Sequence, residues 1–261
     1  MTRTKNYKNL AKQYSDNEIP EFTQRLNEEE ISNHPCFNCL LETEKAVEKG
    51  YWKKFPVPLR YWYEMCNAES DELKKFLSKF KPKTILELGC GSGRIINIFL
   101  KPKYKKTIYA VDKDSKIVKI VKPLYKGIKN LHIINDDIRN FFSKKKIKFD
   151  LAVLMMNTLG NIDNQKIIKL IATNSKYFIF TAYDQKFYKL REKIYQSKGH
   201  REFSIRNKTY YFNDCWVKDL KSKSYTKKEL EDMCKDICKD TDKKYKIKKI
   251  SKLLFLALIY E

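Results

Sequence analysis

The run Thr84-Ile-Leu-Glu-Leu-Gly-Cys-Gly-Ser-Gly-Arg94 constrains the fold more than any other part of the chain. Its apolar and β-branched residues predict a buried strand over 84–88, and an apolar helix is predicted over 94–100 after a glycine-rich turn. Glycine at 89, 91 and 93 permits positive φ and lets a ligand lie against the backbone. Because N–H groups are free at a helix N-terminus, this turn predicts a cradle for a flat or anionic ligand.

Two common nucleotide motifs fit this turn poorly. A dinucleotide-binding turn carries Gly-x-Gly-x-x-Gly, whereas here Gly93 comes one residue early and Arg94 takes the last position. A P-loop ends in Gly-Lys-Ser/Thr, and no such ending follows. The turn therefore indicates a different cofactor.

The rest of the chain alternates between apolar strands and amphipathic helices. This alternation predicts a doubly wound, mostly parallel α/β sheet. A polar-aromatic hairpin over 203–225, a helix capped by Thr226 and two closing strands follow, and the short link between the closing strands predicts antiparallel pairing. The five preceding strands are predicted at 84–88, 107–111, 131–135, 151–155 and 177–181, and the helices at 94–100, 115–125, 137–142, 164–173 and 186–196.

Residues 1–69 differ in composition from the rest of the chain. They combine an acidic, polar stretch with the aromatic segment 51–63, which is interrupted by Pro56 and Pro58. We expect a helix over 59–66 and a separate helix over 71–80, capped by Ser70. The sequence thus predicts an N-terminal helical, aromatic cap over 1–69 and a main domain over 70–261.

Composition and charge limit the function classes. Seven scattered cysteines are typical of free thiols in a reducing compartment, and the longest apolar run, 253–260, is too short to span a membrane. We therefore expect a soluble cytoplasmic protein without membrane contact. The net charge of +23 invites a nucleic-acid interpretation, but it comes almost entirely from lysine, with only eight arginines. A solvated surface is the alternative.

Acidic residues end the second and third predicted strands. Asp112 lies 19 residues after Gly93, where a carboxylate accepts both hydroxyls of a ribose, although Asp114 is a close competitor. Asp137 begins the next predicted helix, so it is either a helix cap or a ligand contact, and Asp136 competes with it. Together with the glycine turn, these strand ends predict a binding crevice at one edge of the sheet.

In these residues the chain resembles the class I S-adenosylmethionine-dependent methyltransferases. Glu87-Leu-Gly-Cys-Gly-Ser-Gly is similar to their first motif, Asp112 to the ribose-binding acid and Asp137 to the residue that reads the adenine amino group. The segment 149–161 resembles their fourth motif, and the closing helix and strands resemble their final elements. The resemblance covers about 70–261 and implies their Rossmann-like sheet of seven strands. The implied cofactor is S-adenosylmethionine, with S-adenosylhomocysteine as product.

The resemblance also implies which residues surround the cofactor. We interpret Glu87 as supporting loop N–H groups or the amino end of the cofactor, without a catalytic role. The implied cofactor-binding residues are Glu87, Gly89, Cys90, Gly91, Gly93, Asp112, Lys113, Asp136, Asp137, Ile138, Met155 and Asn157.

The methyl acceptor is less constrained by the sequence. The segment 155–158 has neither the prolines nor the aromatic residue of the amino-methylating nucleic-acid branch, and no cysteine lies there to attack a base. Cys36 and Cys39 supply only half of a zinc site, so no metal is expected. His200 is a candidate general base. Candidate substrate-pocket residues are Tyr61, Trp62, Asn157, Tyr183 and Trp216.

The predicted activity is methyl transfer to an oxygen or nitrogen atom of a small molecule. An RNA methyltransferase is the alternative within the same fold, and a non-catalytic cofactor-binding scaffold is a third hypothesis. The sequence does not specify the oligomeric state.

Overall fold

The structure is a computed structural model that describes residues 57–144, 147–197, 200, 202–213 and 220–261. The helices are α1 (Val57–Phe80), α2 (Arg94–Leu100), α3 (Ser115–Leu124), α4 (Ile138–Lys144), α5 (Thr158–Ile162), α6 (Gln165–Thr173), α7 (Tyr188–Ser197) and α8 (Lys227–Thr241). The strands are β1 (Thr84–Leu88), β2 (Thr107–Asp112), β3 (Leu131–Asn135), β4 (Phe149–Leu154), β5 (Ser175–Tyr183), β6 (Phe203–Arg206), β7 (Thr209–Phe212), β8 (Lys221–Ser222), β9 (Lys244–Lys249) and β10 (Leu254–Tyr260).

Seven of these strands form one sheet in the order β3-β2-β1-β4-β5-β10-β9. The first five strands along the chain run parallel, and β10 pairs antiparallel with both β5 and β9. This confirms the predicted mostly parallel, seven-stranded sheet with an antiparallel C-terminal pair. The chain reverses direction across the sheet between β1 and β4, which opens the crevice at their carboxyl ends.

Both faces of the sheet are covered, as parallel strands require. Residues alternate between the faces along β1: Leu86 and Leu88 pack with α6 and α8, whereas Ile85 packs with α1 and α2. The two clusters together enclose the central strands. This burial fixes the register of the strand ends that form the crevice.

Helix α1 differs from the sequence prediction. A single helix runs from Val57 to Phe80, so the two predicted helices are wrong and the predicted domain boundary at residues 69 and 70 falls inside one helix. Ser70 does not cap a helix, because its Oγ donates to the Cys66 carbonyl oxygen one turn earlier at 2.8 Å. Helix-forming residues without glycine or proline between 59 and 80 explain the continuity.

A small three-stranded antiparallel sheet, β6-β7-β8, lies between β5 and α8 along the chain. Over 203–225 the described residues form these three strands in place of the predicted single hairpin, and residues 214–219 lie outside the described part. Thr226 caps α8 as predicted, in a capping box with Glu229. Among the helices of the described residues, none combines the length and apolar character that crossing a membrane requires.

Candidate active site

The glycine turn leaves β1 at its carboxyl end and leads into α2. The N–H groups of Gly89 and Cys90 donate to the carbonyl oxygen of Val111 in β2, at 2.8 and 3.2 Å. Gly89, Gly91 and Gly93 have φ angles of 75°, 50° and 89°. All three lie in the left-handed region, where residues with a side chain are strained. Each of the three positions in the turn therefore favours glycine.

The three glycines meet different surroundings. A Cβ atom on Gly89 would lie 2.7 Å from Cγ2 of Thr158, and one on Gly93 would lie 2.6 Å from the hydroxyl of Tyr125. A Cβ atom on Gly91 would meet no atom within 4 Å. The space for a ligand against the backbone is therefore at Gly91, while Gly89 and Gly93 make room for neighbouring side chains.

Asp112, at the end of β2, faces this turn. Its Oδ2 accepts from the Gly91 N–H at 2.9 Å, and its Oδ1 accepts from the Asp114 N–H at 3.0 Å. Burial raises the pKa of Asp112, and the two backbone hydrogen bonds oppose that rise. Asp114 instead caps α3 by accepting from the N–H groups of Lys116 and Ile117. The structure thus separates the two competing acids: Asp112 lies at the crevice and Asp114 is a helix cap.

The end of β3 brings a second acidic pair to the same edge. Asp136 donates its N–H to the Asp112 carbonyl oxygen at 3.1 Å, which joins the ends of β2 and β3. Asp137 accepts from the backbone and side chain of Arg139 at the start of α4, and the Arg139 hydrogen bonds lower the pKa of Asp137 to about 2. Ile138 is half-buried against the core below. The cap role of Asp137 is visible in the structure, and its ligand role stays a prediction.

Glu87 lies two residues before the turn, in β1, and Cys90 lies within the turn. Glu87 is buried in β1 opposite Ala110 of β2. Burial, and then the charges of Glu87 and Asp112, raise the pKa of the Cys90 thiol well above its ordinary value. Cys90 therefore stays protonated and is a poor nucleophile. Lys113 is exposed beside Asp112.

The donor set around Gly91 fits S-adenosylmethionine. The side-chain space at Gly91 is open, the Asp112 carboxylate adjoins it, and the acidic end of β3 lies next along the edge. Hydroxyl and amino groups are the natural partners of such carboxylates. Gly91, Asp112 and Asp137 are accordingly the residues that would hold the nucleoside part.

The loop after β4 faces the turn from the other side. Met156 and Asn157 have φ angles of 53° and 60°, a strained conformation for two successive residues with side chains. Met155 is buried before them. After them Thr158, the first residue of α5, puts its methyl group against Gly89. Sequence reasoning missed α5, because Gly160 and the polar residues around it are poor helix formers.

The side chain of Asn157 fixes this loop. It is 1% exposed; its Nδ2 donates to Ser222 Oγ at 3.0 Å and to the Lys223 carbonyl oxygen at 3.1 Å, while its Oδ1 accepts from the Tyr183 N–H at 3.1 Å. These bonds tie β4 to β5 and β8. Asn157 thus shapes the loop through its side chain, and its predicted cofactor and substrate contacts stay predictions.

Arg191 continues this network and was not identified from the sequence. It is 1% exposed, and its Nη2 donates to both Ser222 oxygen atoms, at 2.7 and 2.9 Å. The guanidinium lies 4.3 Å from the ring centroid of Tyr183 and 4.9 Å from that of Tyr210. These cation–π contacts stabilise a charge that would otherwise be costly to bury. Burial raises the pKa of Tyr183 well above its ordinary value, so its hydroxyl stays protonated.

Glu69 is the second buried charged residue beside the crevice that the sequence did not reveal. It is fully buried in α1, and its carboxylate accepts from Arg94 Nη2 at 2.5 Å and from the Met156 N–H at 2.8 Å. It therefore contacts both the end of the glycine turn and the loop after β4. The unbroken helix α1 carries it there, so a prediction that divided the chain at residue 69 had no signal for this contact.

The remaining predicted residues lie farther from the turn or outside the described part of the chain. Trp62 is buried with Tyr183, Leu253 and Leu254 between α1 and the main domain, and Tyr61 accepts from Lys252 at the rim. The ring centroid of His200 lies 4.9 Å from that of Phe212 and 6.0 Å from that of Tyr195, so His200 belongs to the aromatic cluster beside β7. Its role as a base stays a prediction. Cys36, Cys39 and Trp216 lie outside the described residues.

The part of the sequence that forms this crevice is similar to known proteins. A family model described as a methyltransferase domain matches residues 85–176. Ribosomal RNA small subunit methyltransferase A of Mesomycoplasma hyopneumoniae strain 232 is 32% identical over 99 residues, which cover 37% of this chain and 35% of that protein. The protein of the same description from strain J is 26% identical over 125 residues, covering 47% and 46%. The chain thus spans less than half the length of these curated relatives.

Solved structures extend the likeness beyond the matched region. The plantazolicin methyltransferase BpumL in complex with S-adenosylhomocysteine superposes with a TM-score of 0.56 at 17% identity, covering 90% of this chain and 98% of that chain. An S-adenosylmethionine-dependent methyltransferase from Clostridium acetobutylicum ATCC 824 superposes with a TM-score of 0.54 at 15% identity, covering 74% and 91%. At these identities the likeness establishes the fold.

Proposed function

We propose that this chain, whose residues 85–176 match a methyltransferase domain model, is a class I S-adenosylmethionine-dependent methyltransferase that transfers a methyl group to an oxygen or nitrogen atom of a small-molecule acceptor. The observation that carries the proposal is the contact between Thr158 and Gly89, because it brings the loop after β4 against the glycine turn, where the cofactor would bind. An acceptor held by that loop lies beside the turn. Proximity and orientation of this kind supply much of the rate of a displacement reaction.

The chain's own residues have distinct tasks in this proposal. S-adenosylmethionine, when bound, supplies the electrophilic methyl group. Asp112 accepts hydroxyl hydrogen bonds from the nucleoside, and the open backbone at Gly91 admits it. Asn157 holds the loop after β4 in place, while the buried Trp62 and Tyr183 exclude water behind that loop. A dedicated base is unnecessary when the acceptor atom is already nucleophilic.

Calorimetry with S-adenosylhomocysteine tests the cofactor part of the proposal. We expect the full chain to bind it and the Asp112→Ala variant to bind at least about 10-fold more weakly, because a carboxylate hydrogen bond contributes about 1.5–3 kcal/mol. Asp114→Ala is the matched control and is expected to retain affinity, since Asp114 caps α3. Absent binding by the wild type, or equal binding by Asp112→Ala, would contradict the assignment.

RNA as the acceptor is a second candidate, because charge is segregated along the chain. Ten lysines lie between 101 and 129, and the two acids there, Asp112 and Asp114, are both engaged by backbone N–H groups. Helix α8, by contrast, has four lysines among five acids. The curated relatives described as ribosomal RNA methyltransferases also favour this candidate. A lysine-rich face suits a phosphate backbone without base specificity.

Two sets of lysine substitutions with equal charge change test the RNA candidate. The first set lies near α3 and consists of Lys119, Lys122, Lys126 and Lys129. Within the described residues these four lysines are exposed and form no ion pair. The second set lies on α8. If RNA is the acceptor, the first set of Lys→Gln changes weakens binding to an RNA hairpin at low salt by at least about 10-fold and reduces the salt slope by about 3, while the second set has a smaller effect. Equal effects, or no RNA binding by the wild type, would exclude this face. The lysines of the second set are Lys227, Lys228, Lys235 and Lys239.

A further inference from the structure

We propose that Glu69 is a positioning residue that fixes the position of the glycine turn (residues 89–93) relative to the loop after β4 (residues 155–157). The inference rests on the proposed function only in assuming that the cofactor lies against the glycine turn. It makes α1, which precedes the matched region 85–176, part of the active site.

The geometry around Glu69 joins three elements through one carboxylate. Oε2 accepts from Nη2 of Arg94, the first residue of α2 and the residue that follows Gly93. Oε1 accepts from the backbone N–H of Met156 at 2.8 Å and from Thr181 Oγ1 at 2.5 Å. The side chain of Glu69 is fully buried and that of Arg94 is 7% exposed. The pair is therefore shielded from salt and water, and its geometry is well defined.

Arg94 is itself anchored to α1. Its Nη1 lies 3.3 Å from both the Cys66 carbonyl oxygen and Ser70 Oγ, so the guanidinium is held on two sides by the same helix. The start of α2, where the glycine turn ends, is thereby fixed relative to α1. A displacement of α1 would move the turn and the ligand space at Gly91 with it.

The contact of Glu69 with Met156 holds the loop after β4. Met156 has a φ of 53°, and Asn157 beside it has a φ of 60°. Backbone in this region persists only where surrounding contacts hold it. Glu69 holds the loop from the α1 side, and Asn157 holds it from the β8 side through Ser222. The same carboxylate thus fixes the loop and the turn that face each other across the crevice.

Both Glu69 oxygens face donors, which makes a carboxylate necessary at this position. The isosteric glutamine has one oxygen and one NH₂ group, so its NH₂ group must point either at Arg94 or at the Met156 N–H and Thr181. One side of the network is then lost whichever way the amide turns. Glu69→Gln therefore changes the positioning chemistry with almost no change in volume.

The matched control lies one turn along the same helix. Glu72 pairs with Lys248 and Lys75 at the surface of α1 and, among the described residues, has no hydrogen bond to the turn or to the loop after β4. Glu72→Gln makes the same chemical change in the same helix. Comparison of the two variants therefore separates a positioning effect from the loss of a charge in α1.

The test is calorimetric titration of the full-length wild type and both variants with S-adenosylhomocysteine, at a temperature where circular dichroism shows each to be folded. We expect Glu69→Gln to bind at least about 10-fold more weakly and Glu72→Gln to bind like the wild type. Unchanged affinity in folded Glu69→Gln would overturn the inference while leaving the proposed function intact. Absent binding by the wild type would instead overturn the proposed function and, with it, this inference.

Thr181→Val keeps the test decisive if Glu69→Gln does not fold. This near-isosteric change removes one donor to Oε1 without altering charge. Hydrogen–deuterium exchange then reads the coupling: in the wild type S-adenosylhomocysteine slows exchange of the peptide spanning 155–159, and in Thr181→Val this protection is expected to fall by at least about half. Equal protection in both proteins would contradict a shared carboxylate link.

Discussion

The glycine-turn side of the crevice, where we propose that the cofactor binds, is held by residues nearer in sequence than those that hold the side formed by the loop after β4, where we propose that the acceptor binds. On the cofactor side, Gly91 donates to Asp112, 21 residues away, and Asp112 accepts from Asp114 two residues on. On the acceptor side, Asn157 reaches Ser222 across 65 residues and Glu69 reaches Met156 across 87. The first side is a local motif and the second is a tertiary assembly.

This difference explains how one side carries a recognisable pattern and the other does not. A glycine turn must satisfy positive φ and close approach wherever it occurs, so it constrains the sequence strongly. The loop after β4 is held by groups from α1, β5 and β8, which other side chains could replace in another protein. Substitutions on the two sides should therefore have effects that differ in size and in what they change.

The largest expected effect follows substitution of Asn157. Asn157→Ala leaves the Tyr183 N–H, the Lys223 carbonyl and the Ser222 hydroxyl without this partner and places alanine at a φ of 60°. We expect the free energy of unfolding to fall by about 4 kcal/mol. Urea denaturation measures this change in the free energy of unfolding.

Asn135→Ala is the matched control on the cofactor side. Asn135 Nδ2 also bonds two carbonyl oxygens, those of Asp112 and Lys113, but it is exposed. We expect the free energy of unfolding to fall by less than about 1 kcal/mol, because water replaces the lost bonds. Similar losses for Asn135→Ala and Asn157→Ala would break the distinction between the two sides.

An intermediate effect is expected in the glycine turn. Gly89→Ala places an alanine at a backbone φ of 75° and its Cβ atom 2.7 Å from Thr158 Cγ2. The free energy of unfolding should therefore fall by about 3 kcal/mol. Gly91→Ala meets open space at a φ of 50° and should lose about 1 kcal/mol. Its affinity for S-adenosylhomocysteine should fall instead, as calorimetry would show.

Thr158→Ser sharpens this comparison, because it removes the methyl group that the Gly89→Ala Cβ would meet. The double variant should recover about 1 kcal/mol or more of the lost stability. No recovery would mean that the backbone φ alone accounts for the loss.

The smallest effect concerns acid stability at the end of β3. The Arg139 hydrogen bonds lower the pKa of Asp137 from 3.8 to about 2 in the folded chain. Because the folded pKa is the lower one, this contribution is fully present above pH 3.8 and is lost as the pH falls through about 2. Arg139→Gln should make stability less dependent on pH in that window, measured by denaturation at several pH values. An unchanged dependence of stability on pH would mean that the Arg139–Asp137 pair does not contribute to acid stability.

Much of the fold could be predicted, but not all of it. The five parallel strands were located to within two residues at each end, because apolar runs bounded by turns mark strands buried on both faces. Helix α1 was divided wrongly, because Ser70 has the chemistry of a helix cap and only its bond to Cys66 shows that it is internal. Helix α5 was missed, because its start is fixed by Asn157 contacts from β5 and β8 rather than by helix propensity.

The sequence by itself determined the sheet, the glycine turn and the acid at the end of β2, because strand burial and positive φ impose requirements on neighbouring residues. Only the tertiary structure decided that Glu69 reaches both Arg94 and Met156, and that Arg191 is buried among tyrosines behind Asn157. The two Glu69 contacts join residues 25 and 87 positions apart. Their energy comes from exclusion of water by packed elements, a property that no single segment of the chain has alone.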